Sequence, residues 1–337
     1  MRAFQGKVVN VMREKVAIIG CGNVGGTTAF SLAYRGRADL VLIESPEREG
    51  VAKAKALDIH QSCSLMESSI EVTGTSDWSA LEGADLCIIT AGMPRGPGMS
   101  REDLLSANSS IMRQVSYELK RHAPDCIVIV VTNPLDVMAY QVCLHTGFDP
   151  KQVMGMAGLL DTARFRTFVA SEVGCSVKSV QALVLGGHGD SMVPVVSHCS
   201  VSGIPITQLL SNSQISRIVH RTRKGGEEIV SLMGTSAYYA AAQCLAEMVD
   251  AVLGDSKNLI TASAFVEGQY GIDGLFVGMP VIVGRRGVEK VVEIELDDKE
   301  HGALLKSASL VKESVEKAAQ MATEKDPDNR NPNLIVR

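Results

Sequence analysis

Two arginines, Arg95 and Arg101, stand six positions apart in the stretch Ala91-Gly92-Met93-Pro94-Arg95-Gly96-Pro97-Gly98-Met99-Ser100-Arg101, directly after the apolar run Leu86-Cys87-Ile88-Ile89. Each guanidinium can clasp a carboxylate through two parallel hydrogen bonds. The glycine and proline punctuation marks the segment as a loop able to move. A loop that brings positive charge down onto a small acid is a catalytic lid; read alone, it is a solvated turn with incidental arginines. Possible counterparts lie further along the chain. His188 sits among glycines in Gly186-Gly187-His188-Gly189-Asp190, where the imidazole has room to reach into a cleft. Asp161 and Arg164 are three residues apart, so a helix puts them on one face. A carboxylate behind an imidazole fixes its tautomer and stabilises its protonated form. An arginine beside that pair can hold a substrate carboxylate. Taken singly, His188 reads as a packed or surface histidine, and Asp161 with Arg164 as an ordinary ion pair within a helix. The other histidines, at 60, 122, 145, 198, 220 and 301, lack such surroundings and are assigned no chemistry.

A second constellation is the run Gly20-Cys21-Gly22-Asn23-Val24-Gly25, between a predicted strand and a predicted helix. A GxGxxG pattern is weak by itself. Here each glycine has a physical reason. One makes a tight turn, one lets the backbone approach a pyrophosphate closely, and one packs helix on sheet, with the helix N-terminus facing the anion. Glu44 falls about twenty residues beyond the last glycine, where a carboxylate accepts hydrogen bonds from the adenosine ribose of a dinucleotide. Its charge repels a 2′-phosphate, which favours NAD over NADP, although Arg48 nearby works the other way. The bland reading of Glu44 is a solvated charge at a strand end.

Elements able to position these groups follow from periodicity. Val16-Ile19, Leu40-Ile43, Ile70-Val72, Leu86-Ile89 and Ile127-Val131 read as strands, and Val153 begins a sixth. Residues 24–35, 46–66 and 101–121 read as amphipathic helices between them, the grammar of repeated βαβ units. From about residue 156 the pattern changes. A helix at 161–173 is followed by a strand over Val180-Leu185 that leads into His188, and helical patterns fill 206–253. Strands are expected near 259–266, 275–283 and 288–295, then a closing helix at about 299–322. The predicted fold is α/β: a Rossmann-type doubly wound parallel sheet over 13–154, then an α+β substrate and catalytic domain over 155–324. Residues 1–12 are expected to be a loose extension or to precede a misplaced start, and 325–337 a loose polar tail.

Composition agrees with that class. Hydrophobic residues make up 45% of the 337 and aromatic residues 4%, so the interior is aliphatic, as a sheet buried on both faces requires. A formal net charge of −5 gives no reason to expect binding to nucleic acid or an anionic membrane. No apolar run approaches the roughly 18 residues of a membrane-spanning helix. The eight cysteines form no CxxC pair and no metal-ligand spacing; with no signal peptide recognised, a reducing cytoplasm is expected and no metal is assigned.

The motifs KVAIIGCGNVGG, KALDI, TAGMPRGPGMSREDLL, VTNPLDVMAY, GLLDTARFR, GGHGDSMVP and EGQYGIDGLFVGMPVIVG together carry a resemblance that runs from about Glu14 to Lys317. The chain resembles the lactate/malate dehydrogenase superfamily, most closely its lactate-dehydrogenase-like malate dehydrogenases. The resemblance implies oxidation of (S)-malate by NAD to oxaloacetate, a reaction of the tricarboxylic acid cycle. Lactate dehydrogenase, or a broader 2-hydroxy-acid dehydrogenase, is the alternative; an NAD-binding scaffold without activity is the reading from another class. By matching motif, His188 is the general acid/base and Asp161 its orienting carboxylate. Arg164 binds the C1 carboxylate, Arg101 polarises the C2 carbonyl, and Asn133 hydrogen-bonds substrate near the nicotinamide. Arg95 falls where malate enzymes of the family carry Arg and lactate enzymes typically carry Gln. The expected NAD contacts are Gly20, Gly22, Asn23, Val24, Gly25, Glu44, Thr90, Ala91, Gly92, Asn108, Val131 and Asn133. The resemblance further implies a homodimer or homotetramer, with contact around Ala56-Leu57-Asp58-Ile59. The chain departs from the family's pattern at Gly96, where Lys is usual, at Thr235-Ser236, and at Ile260-Thr261-Ala262-Ser263, the last read as core variation.

Overall fold

The computed structural model describes residues 13–94 and 100–325. Expectations for residues 1–12, for 326–337 and for Arg95 and Gly96 therefore lie outside the described residues. The first half runs β1 (Glu14–Ile19), α1 (Asn23–Arg35), β2 (Ala38–Ile43), α2 (Glu49–Cys63), β3 (Val72–Thr75), β4 (Leu86–Ile89), α3 (Arg101–His122), β5 (Ile127–Val130), α4 (Leu135–Thr146) and β6 (Val153–Gly155). Strands β3-β2-β1-β4-β5-β6 form a parallel sheet in that order. Helices on both faces bury β4 and β5 at every position, which is why both read as unbroken apolar runs. The strand order reverses at β1/β4, so the ends of these strands open into a crevice beside Gly20.

The second half continues α5 (Gly158–Val173), β7 (Val180–Gln181), β8 (Val184–Leu185), β9 (Val193–Pro194), β10 (Ser200–Val201), β11 (Ile204–Pro205), α6 (Ile206–Leu209), α7 (Asn212–Met233), α8 (Tyr239–Leu253), β12 (Asn258–Glu267), β13 (Asp273–Gly284), β14 (Gly287–Val291) and α9 (Asp298–Lys325). The antiparallel strands β12, β13 and β14 extend the parallel sheet through a pairing of Ser263 with Gly155, giving nine strands in one sheet. A Cβ on Gly155 would stand 2.5 Å from Leu135 Cδ2 and 2.8 Å from Ser263 Cβ, so the two halves meet only because that position is bare. One aliphatic core spans both halves, and a smaller one gathers Phe165, Val169, Val184, Met192 and Ile218 between α5, α7 and the short strands. Among the described residues no helix is long and apolar enough to cross a membrane.

Several elements differ from the sequence expectation. The third strand lies at Val72–Thr75 rather than 70–72: Ile70 is buried but outside the ladder. The run 180–185 divides at Ala182-Leu183, because β7 pairs with β10 while β8 pairs with β9. The last strand stops at Val291, α2 is preceded by a 3-10 turn at Pro46–Arg48, and Lys325 closes α9. Helix α4 has no counterpart among the expected elements. Leu135, Asp136, Val137, Met138, Ala139, Gln141, Val142 and Thr146 are all buried, so it shows no polar face to reveal a 3.6-residue period.

Candidate active site

The glycines of the first turn are not equivalent. Gly20 adopts φ +98°, and a Cβ there would lie 2.5 Å from the Ala91 amide nitrogen. A Cβ on Gly25 would stand 2.0 Å from the Gly20 carbonyl oxygen and 2.8 Å from Thr90 Oγ1. Packing alone demands these two. Gly22 caps α1 in extended geometry, and a Cβ on it would meet nothing within 4 Å. The space before it is open, α1 has no side-chain cap, and its first turn, with Asn23 and Val24, holds no acidic residue. Orphan N–H groups facing open space suit an anion such as a pyrophosphate, so the residues present fit a dinucleotide.

Glu44 follows β2 beside this turn. Its Oε2 accepts from the Cys21 amide at 3.0 Å and lies 3.5 Å from Arg48 Nε, and its Oε1 accepts from the Ser45 amide at 3.2 Å. Burial first, and then the Glu44 charge, push the Cys21 thiol up to about 12, so it is inert packing rather than a nucleophile. Lys55 on α2 donates to the Cys21 and Gly22 carbonyls at 2.7 and 2.9 Å, fastening the turn from behind. In the sequence Lys55 stands out only as part of the KALDI motif; nothing in its spacing announces this role.

The ends of β4 and β5 complete the crevice. Thr90 Oγ1 donates to the Gly20 carbonyl at 2.8 Å, and the Thr90 and Ala91 amides both donate to Ile19. Gly92 is exposed and Val131 half-buried. Asn108, expected as a cofactor contact, braces the walls of the crevice. It is buried, accepts from the Met93 amide at 2.7 Å and donates to the Asn133 carbonyl at 2.7 Å, tying the root of the arginine loop to the β5–α4 turn. Asn133 itself is exposed. Arg101 opens α3 behind a Ser100/Asp103 capping box, and its side chain, like all of Arg95, lies outside the described residues.

The second cluster is described in full. Asp161, 1% exposed in the first turn of α5, accepts from Arg164 NH1 through Oδ1 at 3.0 Å and from His188 Nδ1 through Oδ2 at 2.8 Å. That bond places the imidazole proton on Nδ1 and leaves Nε2 as an acceptor. Burial is the largest effect on His188 and lowers its proton affinity. The Asp161 charge and hydrogen bond, with the Asp136 charge, outweigh burial and the opposing Arg164, so His188 is held above the ordinary 6.5.

Sequence reasoning missed Asp136. It lies on α4, 4% exposed, accepting from the His188 backbone amide at 2.8 Å and from Ser263 Oγ at 2.7 Å. Burial raises its carboxyl against those hydrogen bonds. Ser263, read as core variation, thus supports the backbone of His188, while its neighbour Thr261 bonds Thr162 Oγ1 at 2.9 Å beside Asp161. Ser307 on α9 accepts from the Gly187 amide at 2.9 Å. An acidic residue in a helix following proline looks like first-turn decoration, so only the long-range contacts identify Asp136.

Gly22→Ala is expected to keep the melting temperature of the ligand-free protein but weaken NADH binding, whereas Gly25→Ala lowers that temperature; thermal melts and NADH fluorescence titration check both. For His188, raised in the fold, the stabilisation is fully present below about 6.5 and is lost as pH rises through the elevated value. Asp161→Asn should move the His188 titration, followed by NMR, to lower pH; an unmoved midpoint contradicts the assigned contact.

Comparisons with known proteins agree with this arrangement. Residues 14–155 match the lactate/malate dehydrogenase NAD binding domain, and residues 159–322 match the lactate/malate dehydrogenase alpha/beta C-terminal domain. Malate dehydrogenase 1 of Anaeromyxobacter dehalogenans is 50% identical over 306 residues, 90% of this chain and 97% of that protein. The solved malate dehydrogenase of Salinibacter ruber is 43% identical, with a TM-score of 0.88 over 93% of this chain and 100% of that one. A lactate dehydrogenase of Cryptosporidium parvum, solved with lactic acid and nicotinamide adenine dinucleotide, is 38% identical, with a TM-score of 0.87 over 90% of this chain and 97% of that one. The chain belongs to the lactate/malate dehydrogenase family.

Proposed function

We propose that the chain is an NAD-dependent malate dehydrogenase that interconverts (S)-malate and oxaloacetate. The observation that carries the chemistry is the single buried carboxylate of Asp161 shared between His188 and Arg164. Relatives about as identical as the 50% Anaeromyxobacter protein support malate as substrate. Solved neighbours include both malate and lactate enzymes, so the fold does not choose between these acids. Arg95 does: its guanidinium pairs the second carboxylate of oxaloacetate, and pyruvate would leave it unpaired in a closed pocket, a heavy penalty.

The site residues take these roles. NAD, when bound, supplies the nicotinamide that accepts the C2 hydride. Gly20, Gly22, Asn23, Val24 and Gly25 face its pyrophosphate, Glu44 its ribose, and Thr90, Ala91, Gly92, Val131 and Asn133 the rest of the crevice. Asn108 holds two segments of that crevice together. Neutral His188 removes the C2 hydroxyl proton at Nε2, and Asp161 stabilises the imidazolium that results. Positioned acid/base help of this kind contributes about 10²–10⁴ in rate. Arg164 grips the C1 carboxylate, and Arg101 opposes the charge developing on the C2 oxygen. Residues 13–154 form the cofactor half and 155–324 the substrate half.

Oxidation of NADH at 340 nm is expected to be fast with oxaloacetate and slow with pyruvate. Arg95→Gln should lower kcat/KM for oxaloacetate and raise it for pyruvate, by up to roughly 10⁴-fold in the ratio. An unchanged ratio removes Arg95 from the pocket. The proposal includes a homo-oligomer. Phe30 and Tyr34 are exposed one turn apart on α1, and Leu57 is exposed on α2, apolar surface of the kind that subunit contacts cover. Sedimentation at micromolar concentration should report a dimer or tetramer; a monomer contradicts this part.

A further inference from the structure

The middle of α7 reads Arg223-Lys224-Gly225-Gly226, and the first three of these residues each meet the catalytic cluster. Arg223 Nε donates to the Met192 carbonyl at 3.0 Å. Lys224 Nζ lies 3.2 Å from both carboxylate oxygens of Asp190. Both acceptors belong to the loop that carries His188. Gly225, buried, turns its bare backbone to Arg164. A Cβ there would stand 3.2 Å from Arg164 Cδ, 3.6 Å from Nε and 3.9 Å from Cγ, and these are its three nearest neighbours. The first distance is inside the roughly 3.5–4.0 Å at which carbon atoms rest. Arg164 cannot retreat freely, because Asp161 holds its NH1 at 3.0 Å.

Neither Gly225 nor Gly226 has a positive φ, so the backbone does not require glycine. Two adjacent glycines inside a helix weaken it relative to alanine. The cost has a local reason only at 225, where a methyl group would press on the side chain assigned to the substrate carboxylate. At 226 the nearest atom of Arg164 is 3.8 Å from the ideal Cβ, an ordinary contact.

We propose that Gly225 is a positioning residue for Arg164. By carrying no side chain it lets α7 set the height and tilt of the guanidinium. Arg223 and Lys224 meanwhile fasten the same turn of helix to the His188 loop, so the carboxylate grip and the proton donor share one frame. The inference rests on the carboxylate-binding role proposed for Arg164, and the experiment separates the two.

The test uses the full chain with NADH and oxaloacetate. Gly225→Ala is expected to raise KM for oxaloacetate by roughly tenfold, the scale of a sub-ångström misplacement, with a smaller change in kcat. NADH affinity should be unchanged, and the melting temperature should not fall, because alanine is the better helix former. Gly302→Ala on α9, where a Cβ would meet nothing within 4 Å, is the control: it changes the same residue type in a helix and leaves KM alone. Arg164→Lys keeps the charge but loses the fork, and should raise KM at least as much. If Arg164→Lys raises KM and Gly225→Ala does not, the positioning role falls and the reading of Arg164 stands. If neither moves KM, both fall. A rise in KM that appears only together with a lower melting temperature and weaker NADH binding also overturns the proposal, since it marks general damage to α7.

Discussion

A buried carboxylate in two simultaneous bonds is the constraint on which the rest of this molecule depends. Asp161 is almost fully removed from water, and an ionised group there costs several kcal/mol unless it is paired. It is paired twice, with an imidazole and a guanidinium that come from different places: Arg164 is one helical turn away, while His188 lies in a glycine-rich loop between β8 and β9. The bond to His188 holds only while that loop is fixed. Asp136 from α4, Ser307 from α9 and the Gly186–Gly278 bridge to β13 fix it, so three elements outside α5 serve one hydrogen bond. The electrostatic outcome is decided by competition. Burial pulls the imidazole toward the neutral form, and two carboxylates pull harder the other way.

The dinucleotide end works on a different principle, packing on one side and open space on the other. Gly20 and Gly25 are forced by atoms of the protein itself, whereas among the described residues nothing lies within 4 Å of a Cβ at Gly22. A position kept bare without an internal cause fits an external one, the approach of a phosphate to the N-terminus of α1. Lys55 is consistent with this, since its ammonium is spent on two carbonyls behind the turn and leaves the amides at the front free to face the ligand.

Much of this was legible in the sequence, and what was not has a common physical cause. Parallel strands buried on both faces appear as apolar runs, so β1, β2, β4 and β5 could be read directly; the spacing of Asp161 and Arg164 announced a shared helical face. What escaped were features whose meaning depends on partners distant in the chain. Helix α4 has no exposed residue, so no polar face marks its period. Asp136 and Ser263 are 127 residues apart and take their role from meeting each other and the His188 backbone. The run 180–185 divides because its two ends belong to different sheets. Periodicity reports the environment of one segment; it carries no information on which second segment supplies the partner.

That separation also locates substrate choice in the molecule. The proton relay and carboxylate grip proposed for His188, Asp161 and Arg164 rest on buried, multiply anchored elements, and in that reading they sense only a group shared by every 2-hydroxy acid. The feature that distinguishes a diacid from a monoacid must be sensed by something else that reaches the pocket. Asn108 secures the arginine loop at its root, at Met93, and the Ser100 capping box secures the start of α3, so both ends of the segment are anchored while residue 95 lies between them. Loops positioned by a rigid scaffold are where specificity residues commonly vary. Solved neighbours that include both malate and lactate enzymes agree with this separation, since one fold serves both acids.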